Sequence, residues 1–228
     1  MIELQNISFK YEEKYIFHNV SKKFELGVVH GIVGFNGAGK STFFNLLAGY
    51  RLPDNGSIAL NNIPINKRNM AFLETDLYFY PNLSAREFLS IFTKSNENFN
   101  ETAFSEIFNI PLDELISNYS TGMKKKLMLM THIKQNKEIF ILDEPFNGLD
   151  IESSATLECI ITILKEKGKT VFISSHIFSS LLDICDMIHY INDGNIDKTF
   201  QKTEFQKIQS DIFGKQNSLI KHNLKDLL

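Results

Sequence analysis

A glycine-rich segment at residues 34–41 constrains the fold of this chain more than any other feature. It reads Gly-Phe-Asn-Gly-Ala-Gly-Lys-Ser, which fits the pattern GxxxxGK followed by Ser or Thr. An almost continuous apolar run at residues 28–33 precedes it, and apolar side chains recur at helical spacing over residues 43–47. A buried strand, a glycine-rich turn and an amphipathic helix in this order predict a unit whose turn binds phosphate.

Each residue type in this loop suits the binding of a nucleoside triphosphate with Mg²⁺. The glycines allow a tight turn in which successive backbone N–H groups point at a phosphate chain. Lys40 is expected to reach the β- and γ-phosphates, and the Ser41 hydroxyl to complete the Mg²⁺ shell. The helix that begins at Ser41 adds the positive end of its dipole. The predicted nucleotide-binding residues of this segment are Gly34, Phe35, Asn36, Gly37, Ala38, Gly39, Lys40, Ser41 and Thr42.

Two adjacent carboxylates follow a second apolar run. Residues 139–142 read Ile-Phe-Ile-Leu and lead directly into Asp143 and Glu144. The carboxyl end of such a strand is where α/β sheets bind ligands. Successive side chains of an extended backbone point in opposite directions, so the two carboxylates are expected to have different tasks. Asp143 is the predicted Mg²⁺ partner, directly or through water, and Glu144 the predicted general base for an attacking water.

A histidine follows the next apolar run in the same way. His176 comes after Ser174 and Ser175 at the end of the run at residues 170–173. A neutral imidazole donates one hydrogen bond, so His176 is predicted to contact the γ-phosphate and to hold the water and Glu144 in line.

The hydrophobic pattern along the chain alternates between strand and helix. Alternating apolar positions near the N-terminus predict strands, and helical periodicity dominates residues 81–135. A helix is predicted at 153–167 between the apolar runs at 139–142 and 170–173, and Asn-Asp-Gly-Asn at 192–195 predicts a hairpin turn. Strands joined by helices indicate βαβ units in a mainly parallel sheet. A last helix is predicted from Thr203 to Phe213.

The composition excludes several classes of protein. The 228 residues fit one large domain, or a core with a modest subdomain. With 43% hydrophobic and 22% charged residues the chain is an ordinary globular protein. A net charge of −3 does not indicate the excess of positive charge that is typical of proteins that bind nucleic acid. The 2 cysteines are too few for a disulfide scaffold. Because there is neither a secretory signal nor a membrane-spanning apolar run, the chain is expected to be cytoplasmic.

The segment from position 119 reads Tyr-Ser-Thr-Gly-Met-Lys-Lys-Lys and resembles the LSGGQ signature of the ATP-binding cassette (ABC) ATPases. Ser120 and Gly122 match the motif, whereas Tyr119, Thr121 and Met123 depart from it. Ser120 also suits the N-cap of a helix. The resemblance extends over essentially the whole chain. It implies that residues 120–123 serve the γ-phosphate of an ATP molecule held by a second, facing subunit.

The resemblance also implies roles for single residues. Tyr11 is expected to stack on adenine, with Tyr15 as the alternative. Asp150 is expected to take part in communication between facing subunits. Where the family carries a glutamine, this chain has none, and Glu74 is assigned to that place, with Thr75 as the alternative. A carboxylate there would coordinate Mg²⁺ or its water.

Two further segments have predicted environments. Residues 77–81, Leu-Tyr-Phe-Tyr-Pro, are rich in aromatic side chains. By resemblance they line the groove that receives a short helix of a membrane subunit, with core packing as the alternative. Lys124, Lys125 and Lys126 are predicted to form a solvated helix face.

The fold that the resemblance implies is an α/β P-loop NTPase core with a mainly parallel sheet, an N-terminal antiparallel β subdomain and an inserted helical subdomain. Residues 1–75 and 136–228 are assigned to the core, and residues 76–135 to the helical subdomain. The whole chain is expected to be one ABC ATPase domain.

The implied function is an ATP-binding and ATP-hydrolysing subunit of an exporter. Two copies, identical or not, would enclose two ATP molecules and drive a separate integral membrane permease from the cytoplasmic face of the membrane. The alternative is a soluble cassette ATPase acting on DNA or ribosomes. Such relatives typically carry two cassettes or a long coiled coil, but only about 80 residues separate Lys40 from Ser120, with no sustained heptad run. A P-loop kinase would explain neither the signature-like segment nor His176.

Overall fold

The computed structural model describes residues 1–175 and 178–208. The strands in this part of the chain are β1 (Ile2–Tyr11), β2 (Lys14–Phe24), β3 (Val29–Val33), β4 (Asn55–Leu60), β5 (Ile63–Pro64), β6 (Met70–Leu73), β7 (Ile139–Leu142), β8 (Thr170–Ser174), β9 (Met187–Asn192) and β10 (Asn195–Gln201). The helices are α1 (Lys40–Leu47), α2 (Ala85–Ser90), α3 (Glu101–Phe108), α4 (Thr121–Lys134), α5 (Ile151–Glu166), α6 (Phe178–Ile184) and α7 (Phe205–Ile208).

A six-stranded sheet forms the centre of the structure, in the order β10-β9-β3-β8-β7-β6. The five strands from β9 to β6 are parallel, and β10 returns antiparallel to β9. Every residue of β3, β7 and β8 is buried, as expected for strands covered on both faces. The predicted hairpin turn joins β9 to β10, with Asp193 and Gly194 both at positive φ. The predicted mainly parallel sheet is confirmed.

A second sheet is antiparallel, in the order β2-β1-β4-β5. Its apolar side chains share one core with α1 and with one face of the central sheet. The ring of Phe24 on β2 lies 5.7 Å from that of Phe43 on α1 and 5.2 Å from that of Phe172 on β8. This packing brings the strand pair β1–β2 close to the loop between β3 and α1.

Helices α2, α3 and α4 pack against the other face of the central sheet. Phe88, Phe108 and Leu129 from these helices share a core with Phe140 and Leu142 of β7. Each helix begins at a side-chain cap, and the caps are Ser84, Asn100 and Ser120. The structure confirms helices in this region, and the division of the chain at residues 76–135 stays a prediction.

For two helices, the ends in the structure differ from the predicted ends. The helix expected at 153–167 spans Ile151–Glu166, because Asp150 caps it and starts it earlier. Of the helix expected from Thr203 to Phe213, the structure describes a 3₁₀ turn at Lys202–Glu204 and α7. The remainder lies outside the described residues. None of the helices described here is long and apolar enough to cross a membrane.

Candidate active site

The loop between β3 and α1 adopts a conformation that only glycine accommodates at several positions. Gly37 and Gly39 have φ angles of 80° and 104°, in the left-handed region. A Cβ atom on Gly34 would lie 2.7 Å from the carbonyl oxygen of Ile191, and one on Gly39 would lie 2.8 Å from Cγ2 of Ile16. The loop therefore passes close to β9 and β2, and its glycines are required by packing as well as by backbone angles.

This loop and the acidic pair border one cavity. Lys40 lies over the loop, where its Nζ donates hydrogen bonds to the carbonyl oxygens of Gly34 at 2.9 Å and of Phe35 at 3.4 Å. The cavity measures about 430 Å³ and is lined by Ile16, Asn36, Gly37, Gly39, Lys40, Ser41, Thr42, Asp143 and Glu144. The phosphate loop and the acidic pair, which are about one hundred residues apart in the chain, thus border the same space, as their motifs predicted.

Asp143 is the buried member of the acidic pair. It is 4% exposed, and its Oδ1 accepts a 2.6 Å hydrogen bond from the Ser174 hydroxyl. No role is predicted for Ser174 from the sequence, because its contact with Asp143 depends on the pairing of β8 with β7. Asp143 and Ser41 offer hard oxygen ligands at the same cavity, which fits Mg²⁺ held by one carboxylate together with phosphate oxygens and water. The described residues contain no cluster of three or more His, Cys, Asp or Glu side chains suited to a metal.

Glu144 has a left-handed backbone, with φ at 49°. This conformation costs free energy in a residue with a Cβ and persists only where neighbouring groups hold it. Its backbone N–H donates to Ser174 Oγ at 2.9 Å, and its carbonyl oxygen accepts from Lys125 Nζ at 2.8 Å. The side chain is half-buried beside the cavity.

Lys125 corrects a prediction. It is only 3% exposed, and its Nζ donates to the carbonyl oxygens of both Glu144 and Asn147. Lys126 is half-buried and donates to the carbonyl oxygen of Phe108 at 3.0 Å. The expectation of a solvated face is wrong for these two lysines, because α4 turns them towards backbone carbonyl groups.

Glu74 lies just beyond β6, next to the acidic pair. Partial desolvation, and then the negative charges of Asp143 and Asp76, raise the pKa of the Glu74 carboxyl. The N–H of Asp143 donates to the carbonyl oxygen of Leu73 at 2.9 Å, so Glu74 follows β6 beside the acidic pair, although it does not line the cavity. Its part in metal binding stays a prediction, as does the alternative Thr75.

The adenine-stacking prediction concerns two exposed rings. Tyr11 is 45% exposed and lies edge-on to Phe9, whereas Tyr15 is 52% exposed and belongs to β2. Neither ring lines the cavity, and the choice between them stays open. Ile16 does line it and contacts Gly39, which residue spacing did not reveal because the contact depends on how the two sheets pack. His176 lies outside the described residues, so its predicted role remains a prediction.

The signature-like segment forms the start of α4. The hydroxyl of Ser120 accepts a hydrogen bond from the N–H of Met123 at 3.2 Å, which confirms the predicted N-cap. Gly122 faces the loop after the acidic pair, and a Cβ atom there would lie 3.0 Å from the carbonyl oxygen of Gly148. Ser120 and Thr121 are exposed and do not line the cavity that contains Lys40.

Asp150 acts as a helix cap. Its Oδ1 accepts a 2.7 Å hydrogen bond from the N–H of Ser153 at the start of α5. Hydrogen bonding to the Ser153 side chain, and then to its backbone N–H, lowers the pKa of the Asp150 carboxyl. The residue is exposed, and its predicted contact with a facing subunit stays a prediction.

A parallel sheet with a phosphate loop after one strand and an acidic pair after a neighbouring strand defines a P-loop nucleotide hydrolase. The model of the ABC transporter family matches residues 17–147, which is more than half of the chain. The chain belongs to the ABC transporter family, and it is an ATP-binding, ATP-hydrolysing member of that family.

Individual proteins agree with this assignment. The lantibiotic transport ATP-binding protein SrtF of Streptococcus pyogenes is 30% identical over 203 residues, covering 86% of this chain and 89% of that protein. The bacitracin transport ATP-binding protein BcrA of Enterococcus faecalis is 29% identical over 220 residues, covering 91% and 71%. A solved dimeric ATP-binding cassette bound to ADP and phosphate shares the fold, with a TM-score of 0.76, 20% identity and coverage of 89% and 99%.

Proposed function

We propose that this chain binds Mg-ATP at its phosphate loop, hydrolyses it with Glu144 as general base, and works in pairs to drive a separate membrane permease that exports its substrate. The observation that supports this most is the shared cavity, since the phosphate loop and the acidic pair border the same space. A phosphate chain along the loop would lie next to both carboxylates.

Each residue of the cavity has its own role in ATP hydrolysis. Lys40 neutralises and positions the β- and γ-phosphates, and the N-terminal end of α1 adds positive potential. Ser41 and Asp143 would hold Mg²⁺, which supplies charge neutralisation at the phosphate oxygens. Glu144 takes a proton from the attacking water, and His176 contacts the γ-phosphate.

A second copy, identical or related, completes the site. Ser120 and Thr121 are exposed at the N-terminal end of α4, away from the cavity of their own chain, and a helix N-terminus favours an anion. The dimeric state of the solved cassette with this fold supports the same arrangement. ATP bridging the two copies stabilises the closed pair by its differential affinity for that form.

This chain has a candidate contact surface for the membrane partner. Tyr78 and Tyr80 are 77% and 57% exposed, and their rings meet edge-to-face 5.8 Å apart, while Phe79 between them is buried. Exposed aromatic side chains of this kind serve as anchors at protein interfaces. Two relatives are named as transport proteins, which favours a transporter subunit at the inner face of the membrane over an ATPase acting on DNA or ribosomes.

The substitution Glu144→Gln tests the proposal. It removes the base while keeping the size of the side chain, so we expect kcat to fall roughly 10²–10⁴-fold and an ATP-bound dimer to accumulate. Steady-state ATPase assays and light scattering measure these effects. Glu138→Gln is the matched control, because Glu138 is exposed at the opposite end of β7 and its variant should turn over normally. Near-normal turnover by Glu144→Gln would remove Glu144 from the mechanism.

A further inference from the structure

A buried lysine joins the signature helix to the catalytic loop. Lys125 lies in the second turn of α4, and its Nζ donates 2.8 Å hydrogen bonds to two carbonyl oxygens, those of Glu144 and Asn147. Both acceptors belong to the loop that follows β7. Within the part of the chain that the structure describes, Lys125 forms no ion pair with a carboxylate.

The burial of the Lys125 ammonium group costs free energy of folding. Burying an ammonium group loses its hydration, and hydrogen bonds to carbonyl groups return only part of that free energy. Burial lowers the pKa of Lys125, while the negative charges of Glu144 and Asp143 oppose that change. An apolar residue would fill the same space at lower cost, so the contacts that the ammonium group makes are informative.

The hydrogen bonds of Lys125 are made to the loop that contains the left-handed backbone of Glu144. Glu144 has positive φ, and three hydrogen bonds hold its own peptide groups: its N–H donates to Ser174 Oγ, and its carbonyl oxygen accepts from Lys125 Nζ and from the N–H of Asn147. Lys125 also donates to the carbonyl oxygen of Asn147. Ser174 in turn donates to Asp143. The direction of the Glu144 side chain therefore depends on a network whose only member from α4 described here is Lys125.

We propose that Lys125 is a positioning residue for ATP hydrolysis, holding the backbone of Glu144 so that its carboxylate is aimed at the attacking water. This inference rests on the proposed function, in which Glu144 is the base. It also links the start of α4, where the signature segment lies, to the loop that carries the base.

Substitutions of Lys125 test this role against a merely structural one. In Lys125→Met, which keeps the length but loses the donors, we expect kcat to fall about 10- to 100-fold, because small misplacements of catalytic groups have effects of that size. The KM for Mg-ATP should change little. Lys125→Gln keeps a donor and should recover part of kcat. Lys126→Met is the matched control, since it removes a lysine–carbonyl bond of the same helix that does not reach the loop.

Combination with Glu144→Gln separates this inference from the proposed function. If Lys125 acts through Glu144, the double variant Lys125→Met, Glu144→Gln should be no slower than Glu144→Gln alone. Equal kcat values for Lys125→Met and Lys126→Met, or a further loss in the double variant, would overturn the positioning role. Normal turnover by Glu144→Gln alone would instead overturn the base assignment. Thermal melts identify any variant that fails to fold, and Lys125→Gln then provides the comparison with Lys126→Met.

Discussion

At the scale of single residues, the proposed catalytic centre depends on a hydroxyl group between two residues that carry carboxylates. Ser174 is fully buried, donates to Asp143 Oδ1 and accepts from the N–H of Glu144. A serine hydroxyl is suited to this position because it donates and accepts at once. The orientation of Asp143 and the backbone of Glu144 are therefore fixed by the same atom.

Replacing this hydroxyl should affect both stability and rate. Ser174→Ala leaves a buried N–H without its acceptor and a buried carboxylate without a donor, which costs about 1–3 kcal/mol in free energy of unfolding. We also expect kcat to fall, since both carboxylate residues lose a support. Urea denaturation and ATPase assays measure the two effects. Thr162→Ala, on the exposed face of α5, should change neither; a Ser174→Ala protein as stable and active as wild type would contradict this account.

The residues of the site differ in how far sequence could predict them. The phosphate loop and the pair Asp143–Glu144 were predictable, because each is a continuous motif with a strand beside it. Ile16, Ser174 and Lys125 were not, since their roles arise from contacts between segments far apart in the chain. The strained backbone of Glu144 left no signal in the residue pattern either.

At the scale of elements, two histidines connect neighbouring strands inside the core. Nδ1 of His30 on β3 lies 3.0 Å from Nε2 of His189 on β9, and both rings are buried. Nε2 of His30 contacts the carbonyl oxygen of Glu25, which only accepts, so that nitrogen carries the proton. His189 must then donate to His30 and accept from Thr199 through Nδ1. Both imidazoles are neutral, and a further proton on Nδ1 of His30 would place two donors face to face.

This pair makes stability depend on pH. Burial lowers the pKa of His30. Burial, then the positive charge that His30 would carry if protonated, and that of Lys22, lower the pKa of His189 well below its usual value. The unfolded chain therefore binds protons that the folded chain does not. Stability is greatest above the ordinary histidine pKa of about 6.5 and falls as the pH drops below it, because protons then bind the unfolded chain in preference to the folded one.

Urea denaturation between about pH 7.5 and 5.5 measures this dependence. His189→Gln removes one titration and should show a shallower decline than wild type, while His30 still contributes, as does His132, whose pKa burial lowers to about 4. His18→Gln is the control, because His18 is exposed and its variant should keep the full decline. A free energy of unfolding that is flat over this range would show that the pair is not held neutral by the fold.

The hydrophobic periodicity predicted the strands and helices better than it predicted what packs around them. Strands β3, β7 and β8 were predictable from their continuous apolar runs, and the hairpin turn from its residue types. The environment of α4 was not, because three consecutive lysines resemble a solvated face unless the carbonyl groups opposite them are known. A helix pattern gives the faces of a helix, and only tertiary packing determines what each face meets.

At the scale of the whole molecule, the site described here is one half of the proposed catalytic centre. The cavity with Lys40 and Glu144 lies within one chain, whereas the exposed N-cap of α4 lies apart from it. The antiparallel sheet completes the nucleotide side by placing Ile16 against the phosphate loop. The proposed centre therefore requires that ATP bring together the cavity of one copy and the signature segment of another.

ATP-dependent dimerisation tests this requirement most directly. Light scattering with ATP should show a dimer for Glu144→Gln and a monomer when Ser120→Arg is added, because an arginine at the N-cap fills the space for the facing phosphate. ATP affinity should be unchanged, and circular dichroism should confirm the fold. Ser57→Arg, on exposed β4, should leave the Glu144→Gln dimer intact. A dimer that forms equally well with Ser120→Arg would contradict a centre shared between two copies.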